Sequence, residues 1–385
     1  MNARQIVIIQ RRLTHYRVAL FEKLREELKR HDIRLRLVVG EGTEREGDKH
    51  DSGEISWADN VPTRYWINGK ICWQPTYHYI NDADLVIVTQ ENSQIVNQLL
   101  VLSPFRPKMA FWGHGVNFQA GNPNGLKERY KAWASRRVDW WFAYTSISTG
   151  AVIRTGFDPA RITTLNNSVE IEGASAIGTD EFQSDGSRLL KTLGLEEKRI
   201  GVFVGSLYRD KRLDFLLEAL DAIKNDVPDF GFLFIGDGPD RVNVERFCRE
   251  RAWAVWVGPR FGAKKLLHMS QARVMLNPGL VGLGILDSFA MGVPMVTTDC
   301  GLHSPEIAYL VNGENGQMTE NTLSSFVAHS KQLLTDDGEW SRLRAGALQS
   351  AEEYSLDNMV ARFSEGIVRA LAAGRVGGRK SVKIG

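Results

Sequence analysis

Apolar positions in this chain alternate between short runs and longer stretches at helical spacing. The runs at 5–9, 35–40, 85–89, 107–111, 140–144 and 161–165 suit buried strands. Val18, Ala19, Leu20, Phe21, Leu24 and Leu28 follow a helical period after the first of them. The pattern then restarts. Strands are expected at 199–204, 232–235 and 255–258, with Leu213, Leu216, Leu217 and Leu220 on one helix face and a short helix at 264–271. Helices are expected at 323–334, 340–353 and 356–373, the last with Met359, Val360, Phe363, Ile367 and Leu371 on one side. Alternation of strand and helix predicts an α/β protein with parallel sheets. The segment 170–193, rich in Ser, Gly and Asp, reads as a linker, and 41–60 as a mobile polar loop. The expected divisions are 1–185, 186–355, a helix at 356–373 and a basic tail at 374–385 that reads as disordered.

The densest chemistry lies between Val274 and Asp299. Val274-Met275-Leu276 suits a buried strand and Asn277-Pro278-Gly279 breaks it. Gly279, Gly282 and Gly284 let the backbone turn tightly and approach a ligand. A compact apolar helix with one acid, Asp287, follows, ended by Gly292 and Pro294. Strand, glycine loop, helix and strand make a βαβ unit whose helix N-terminus attracts phosphate.

Ala290-Met291-Gly292-Val293-Pro294 preceded by Asp287 resembles the nucleotide-sugar site of family 4 retaining glycosyltransferases of the GT-B fold. The resemblance implies two Rossmann-like domains facing a central cleft, with the last helix crossing back to the first domain. It implies donor contacts from Gly279, Leu280, Val281, Gly282 and Leu283, and places Asp287 at the ribose hydroxyls. In the family an acid stands eight positions before Asp287; here that position is Gly279. The family's G-R-L…K pattern is met by Gly205, Leu207, Lys211 and Arg212, but Ser206 replaces the arginine. Lys211 is then the expected cation at the leaving diphosphate, and Arg209 a candidate to compensate. Gly236, Gly238 and Arg260 are expected to wall the base. His114, in Trp112-Gly113-His114-Gly115, matches a histidine that contacts the donor sugar in the family. His15 and Arg17 lie where an acceptor site is expected, or simply begin a solvated basic helix. His303-Ser304-Pro305-Glu306 either lines the cleft or fixes its own turn.

Composition narrows the alternatives. The chain has 385 residues, 43% hydrophobic and 24% charged, with a net charge of +2. That balance argues against a general nucleic-acid binder. Cys72, Cys248 and Cys300 lie far apart, without metal-type spacing, and read as reduced cytosolic thiols. No leader and no membrane-length apolar run are read, so a cytoplasmic chain is expected. Asp82-Ala83-Asp84 resembles a metal-binding D-x-D motif but precedes a strand, so no metal and no cofactor are expected. Lys127, Arg129, Lys131, Arg136 and Arg137 among Leu126, Tyr130, Trp133 and Val138 form a basic amphipathic helix, solvated or resting on anionic lipid. The function expected is a metal-independent, retaining hexosyltransferase. It would move a sugar from a UDP- or GDP-type donor to a glycan or lipid-linked acceptor in cell-surface or exopolysaccharide synthesis. A sugar-nucleotide epimerase and a silent nucleotide-sugar binder are the alternatives.

Overall fold

The computed structural model describes residues 3–43, 46, 51–91, 93–115 and 126–376, without the side chains of 126–128. It has two compact units, 1–170 with 356–385, and 171–355. The division falls at 170/171 rather than at 185. Residues 171–185 group with the second unit, and a helix at Asp180–Thr192 occupies about half of the stretch 170–193 read as a linker.

Unit 1 is built on a sheet of β1 (Arg4–Gln10), β2 (Ile33–Val39), β3 (Asp59–Asn60), β6 (Leu85–Thr89), β7 (Lys108–Gly113), β8 (Trp140–Ala143) and β9 (Ile162–Thr164). A hairpin of β4 (Arg64–Trp66) and β5 (Ile71–Trp73) lies apart from it. The sheet order is β3-β2-β1-β6-β7-β8-β9, all parallel. Both faces are covered, which is why β6 and β8 are uninterrupted apolar runs. Side chains alternate along β1, sending Ile6 and Ile8 into one core and Val7 and Ile9 into the other. The helices are α1 (Val18–Lys29), α2 (Tyr77–Ile80), α3 (Ile95–Leu102), α4 (Leu126–Ser135) and α5 (Ser146–Arg154).

The expected free loop at 41–60 is tied down where it is described. Glu46 takes two hydrogen bonds from Arg11, both 2.7 Å, and Asp51 accepts from Arg12 at 2.6 Å. Asp84 also has a structural task, its Oδ2 accepting the Gln5 amide at 2.7 Å.

Unit 2 starts with α6 (Asp180–Thr192), followed by β10 (Arg199–Val204), α7 (Leu213–Asp226), β11 (Phe230–Ile235), α8 (Arg241–Arg249) and β12 (Ala254–Gly258). Then come α9 (Gly262–Met269), β13 (Val274–Leu276), α10 (Gly284–Ala290), β14 (Met295–Thr298), β15 (Gly316–Thr319), α11 (Leu323–Thr335) and α12 (Asp337–Glu353). The parallel sheet runs β12-β11-β10-β13-β14-β15. Its core is aromatic-rich, with Phe203, Phe230, Phe232, Phe234 and Phe326 all fully buried.

The last helix, α13 (Leu356–Ala372), returns to unit 1. Met359, Phe363 and Ile367 are fully buried in the same core as Phe21 and Leu24 of α1. The crossing back expected from the resemblance is therefore present. Of the basic tail, Arg379, Lys380 and Lys383 lie outside the described residues.

Candidate functional site

In unit 2 the neighbours β10 and β13 are not consecutive, so the loops leaving them diverge at a switch point. Ligands of open parallel sheets bind at such points. The loops meet there. Leu280 N–H donates to Asp210 O at 2.8 Å, and Lys211 Nζ donates to Leu280 O at 2.6 Å. Lys211 is 9% exposed and forms no salt bridge among the described residues. Burial without a facing carboxylate pulls its ammonium down to about 8, with Asp210 opposing only in part.

Arg212, beside it, takes the positive φ of 55° and serves as the brace. Its Nη1 donates to Pro278 O, Thr298 Oγ1 and Asn321 Oδ1 at 3.1, 2.9 and 2.6 Å. The sequence pattern did not reveal this role. Ser206 and Arg209 are exposed, and the Arg209 side chain has no hydrogen bond or ion pair among the described residues, its backbone carbonyl accepting the Arg212 amide at 2.9 Å.

Backbone contact joins the next pair of loops. Gly236 has φ 144°, and a Cβ there would lie 1.9 Å from Gly205 O. Leu207 N–H donates to Asp237 O at 2.9 Å, and a Cβ on Gly238 would meet Leu207 O at 2.3 Å. Trp256 Nε1 donates to Gly236 O at 2.9 Å, a support that the sequence did not disclose. Among the described residues the Arg260 side chain hydrogen-bonds only its neighbour Pro259 O, at 2.9 Å.

The glycine loop is fixed from β14. Val281 N–H donates to His303 Nδ1 at 3.1 Å, so that nitrogen carries no proton and Nε2 donates to Thr298 O at 2.8 Å. Ser304 N–H donates back to Val281 O at 2.9 Å. His303 thus fixes the turn. Gly282 and Leu283 are partly exposed, whereas Val281 is fully buried. Asp287, on α10, pairs with Lys265 of α9 at 2.6 Å. Nothing in the spacing of these two residues announced that pair.

Cys300 Sγ lies 3.7 Å from His303 Nε2. Burial opposes its ionisation, but hydrogen bonds from His303, the Leu302 amide and Thr298 outweigh it and bring the thiol down to about 7. Burial pushes Cys248 up to about 12, and Cys72 is 1% exposed. Iodoacetamide at pH 7.5 is therefore expected to label Cys300 well before the other two, as read by peptide mass spectrometry. Equal labelling of Cys248 would contradict this ordering.

Unit 1 gathers the remaining candidates at the carboxyl ends of β1, β7 and β8. His114 is exposed and packs edge-on to Tyr144, with ring centroids 4.4 Å apart. His15 is exposed, its backbone N–H donating to Asp51 O at 2.9 Å. Arg17 is not part of a solvated helix start. It is 8% exposed and donates to Asn167 Oδ1 at 2.6 Å.

Two parallel α/β units, with a closing helix that returns to the first, define a protein of the GT-B type. Residues 198–336 match the model of the family described as glycosyl transferases group 1. The GDP-mannose-dependent alpha-(1-6)-phosphatidylinositol monomannoside mannosyltransferase of Mycolicibacterium smegmatis is 26% identical over 260 residues. That alignment covers 60% of this chain and 66% of the relative. Two other curated relatives are covered over half or less of their length. A solved glycosyltransferase from Rickettsia africae has the same fold, with TM-score 0.70, 15% identity and coverage of 97% of this chain and 100% of that one. Anabaena HepE in complex with UDP gives TM-score 0.68 at 13% identity, covering 95% and 100%. Over residues 198–336 the chain is similar to the group 1 glycosyltransferases, and over nearly its whole length it shares the fold of the GT-B structures.

Proposed function

We propose that the chain is a retaining glycosyltransferase that moves a sugar from a nucleoside-diphosphate sugar to a glycan or lipid-linked acceptor in cell-surface or exopolysaccharide synthesis. The observation that carries this reading is Lys211, a buried cation held at the switch point by one carbonyl and, among the described residues, no carboxylate. A cation so placed suits the charge that develops on a leaving diphosphate. Exposed Arg209 adds a second positive group on the same loop. In the front-face displacement the sugar–phosphate bond breaks and the acceptor oxygen joins the anomeric carbon on the same face. The acceptor's proton passes to the leaving phosphate. On this reading Lys211, Arg209 and Asp287 serve the donor from unit 2, while His114, His15 and Arg17 serve the substrates from unit 1.

The named relatives motivate the choice of donors to test, since one is GDP-mannose-dependent and one structure holds UDP. Purified protein incubated with a panel of labelled UDP- and GDP-sugars should transfer or slowly hydrolyse at least one of them. Because the cations here are side chains, that activity should survive EDTA. Loss on chelation with recovery on Mg²⁺ or Mn²⁺ would contradict the metal-free mechanism. A silent nucleotide-sugar binder is favoured by one observation, the closure of the Gly279 position described below, and nucleotide binding without turnover would support it.

A peripheral membrane contact is part of the proposal, and among the described residues no helix is long and apolar enough to cross a membrane. Helix α1, which is also basic, contributes little to surface attraction, because Lys23, Lys29 and the adjoining Arg30 pair with Asp357, Glu26 and Glu27. The case rests on Arg129, Lys131, Arg136 and Arg137, with the Lys127 side chain outside the described residues. Near an anionic surface each basic residue contributes about 1 kcal/mol, screened by salt. The protein should sediment with anionic vesicles at low salt and be released at high salt, and neutralising these five positions should reduce the pelleted fraction. Indifference of the wild type to anionic vesicles at low salt would point to a soluble acceptor.

A further inference from the structure

Arg17 is a buried cation whose hydrogen bonding is incomplete. Nη2 donates to Asn167 Oδ1 at 2.6 Å, whereas Nη1 is buried and has no acceptor among the described residues. Among the described residues it forms no salt bridge. Arg106, equally buried at 8% exposure, shows what the same unit does with a structural arginine. It pairs with Asp139 at 2.5 Å and donates to the carbonyls of Pro107 and Arg137.

Aromatic rings surround the Arg17 guanidinium, with Trp112, Tyr16 and Tyr144 centroids at 5.3, 5.5 and 5.7 Å. Their faces attract the charge but do not replace an in-plane acceptor for Nη1–H. Trp112 Nε1 is a second buried donor with no acceptor among the described residues. Buried donors left unpaired are costly, and so is a buried cation without a counter-charge. The guanidinium's deficit calls for an anionic oxygen, and the indole N–H for an acceptor of any charge. The cluster lies at the carboxyl ends of parallel strands, where ligands bind, and exposed His114 packs on Tyr144 beside it.

We propose that Arg17, with Trp112, binds an anionic group of the acceptor, a phosphate or carboxylate, so that the acceptor is a charged sugar and not a neutral one. This rests on the reading of unit 1 as the acceptor-binding half. A planar guanidinium suits such a group because it can present two parallel N–H bonds.

The test is calorimetric titration of the full chain with inorganic phosphate, with and without saturating UDP. With UDP filling the donor site, a saturable phosphate site should remain. It should weaken at least tenfold in Arg17→Gln, be partly kept in Arg17→Lys and persist in Lys211→Ala. Arg17→Gln should keep its UDP affinity within about twofold, which also shows that it is folded. With an active donor in hand, Arg17→Gln should raise KM for a phosphorylated or carboxylated sugar acceptor at least tenfold. Arg17→Lys, which keeps the charge, should recover part of that loss. Absence of any phosphate site in UDP-saturated wild type overturns the proposal without recourse to a variant, and leaves a buried water as the partner of these donors. Phosphate binding lost in Lys211→Ala but kept in Arg17→Gln overturns it too, and places the anion at the donor site. Failure of UDP itself to bind wild type would sink the donor reading instead, a result separate from the phosphate outcome.

Discussion

Lys211→Ala should lower turnover by at least an order of magnitude while the protein stays folded. Removing one preorganised donor to a developing anion costs roughly 2–4 kcal/mol, which is roughly 30- to 900-fold in rate. The structure gives the lysine that character. Its Nζ is held at 2.6 Å from Leu280 O, and no carboxylate among the described residues neutralises it. Lys211→Met should match alanine in turnover yet unfold at or above the wild-type temperature, since an apolar side chain of similar length removes a desolvated charge. Near-normal turnover in both variants would move the role to Arg209.

The same burial sets a pH dependence. The folded ammonium titrates at about 8, below its usual 10.5. Between these values the unfolded chain binds more protons, so the Lys211 contribution to stability rises with pH across that window and is least favourable below pH 8. Nucleotide binding runs the other way. The diphosphate needs the ammonium, so UDP affinity should fall as pH rises through about 8, and that fall should vanish in Lys211→Met. A fall of equal size in the methionine variant would assign it to another group.

The fold was legible wherever burial on two faces left uninterrupted apolar runs, as in β6, β10 and β13. The helix α6 was missed because its sequence supplies few apolar positions, with Gly186 in its middle. The signal that marks it is at its start, where Thr179 accepts from the Phe182 amide and Asp180 and Glu181 occupy the first turn. Strand β4 and its partner β5 were missed for a related reason, being three residues each and mostly not buried. In the site, residue types and loop positions could be read from the chain, but pairings between distant loops could not. Lys265 with Asp287 spans two helices, and Arg212 reaches Pro278, Thr298 and Asn321 from a backbone conformation that no local pattern requires of an arginine.

Gly279→Glu, the change that would restore the acid of the family pattern, is expected to abolish nucleotide binding and not to rescue transfer. From the sequence alone the glycine looks like a vacancy, a position where a carboxylate has been lost and the sugar must be held by other means. In the structure the space is occupied. A Cβ at Gly279 would lie 2.3 Å from Asp210 O, 2.5 Å from Lys211 C and 2.7 Å from Lys211 Cα. All three are backbone atoms, so no side-chain rotation relieves the contact. The loop carrying Lys211 must move, and with it the Asp210–Leu280 and Lys211–Leu280 hydrogen bonds that set the ammonium in place. Overpacking of this kind costs about 1–3 kcal/mol, with about 2–4 °C of unfolding temperature per kcal/mol in a domain of this size. Gly279→Ala isolates the Cβ alone and should already lower UDP affinity tenfold or more with a measurable drop in unfolding temperature. Calorimetric UDP titration and thermal denaturation of both variants check this. A stable Gly279→Glu protein with wild-type UDP affinity and faster transfer would show that the loop at 210–211 yields easily and that the glycine is a vacant acid site.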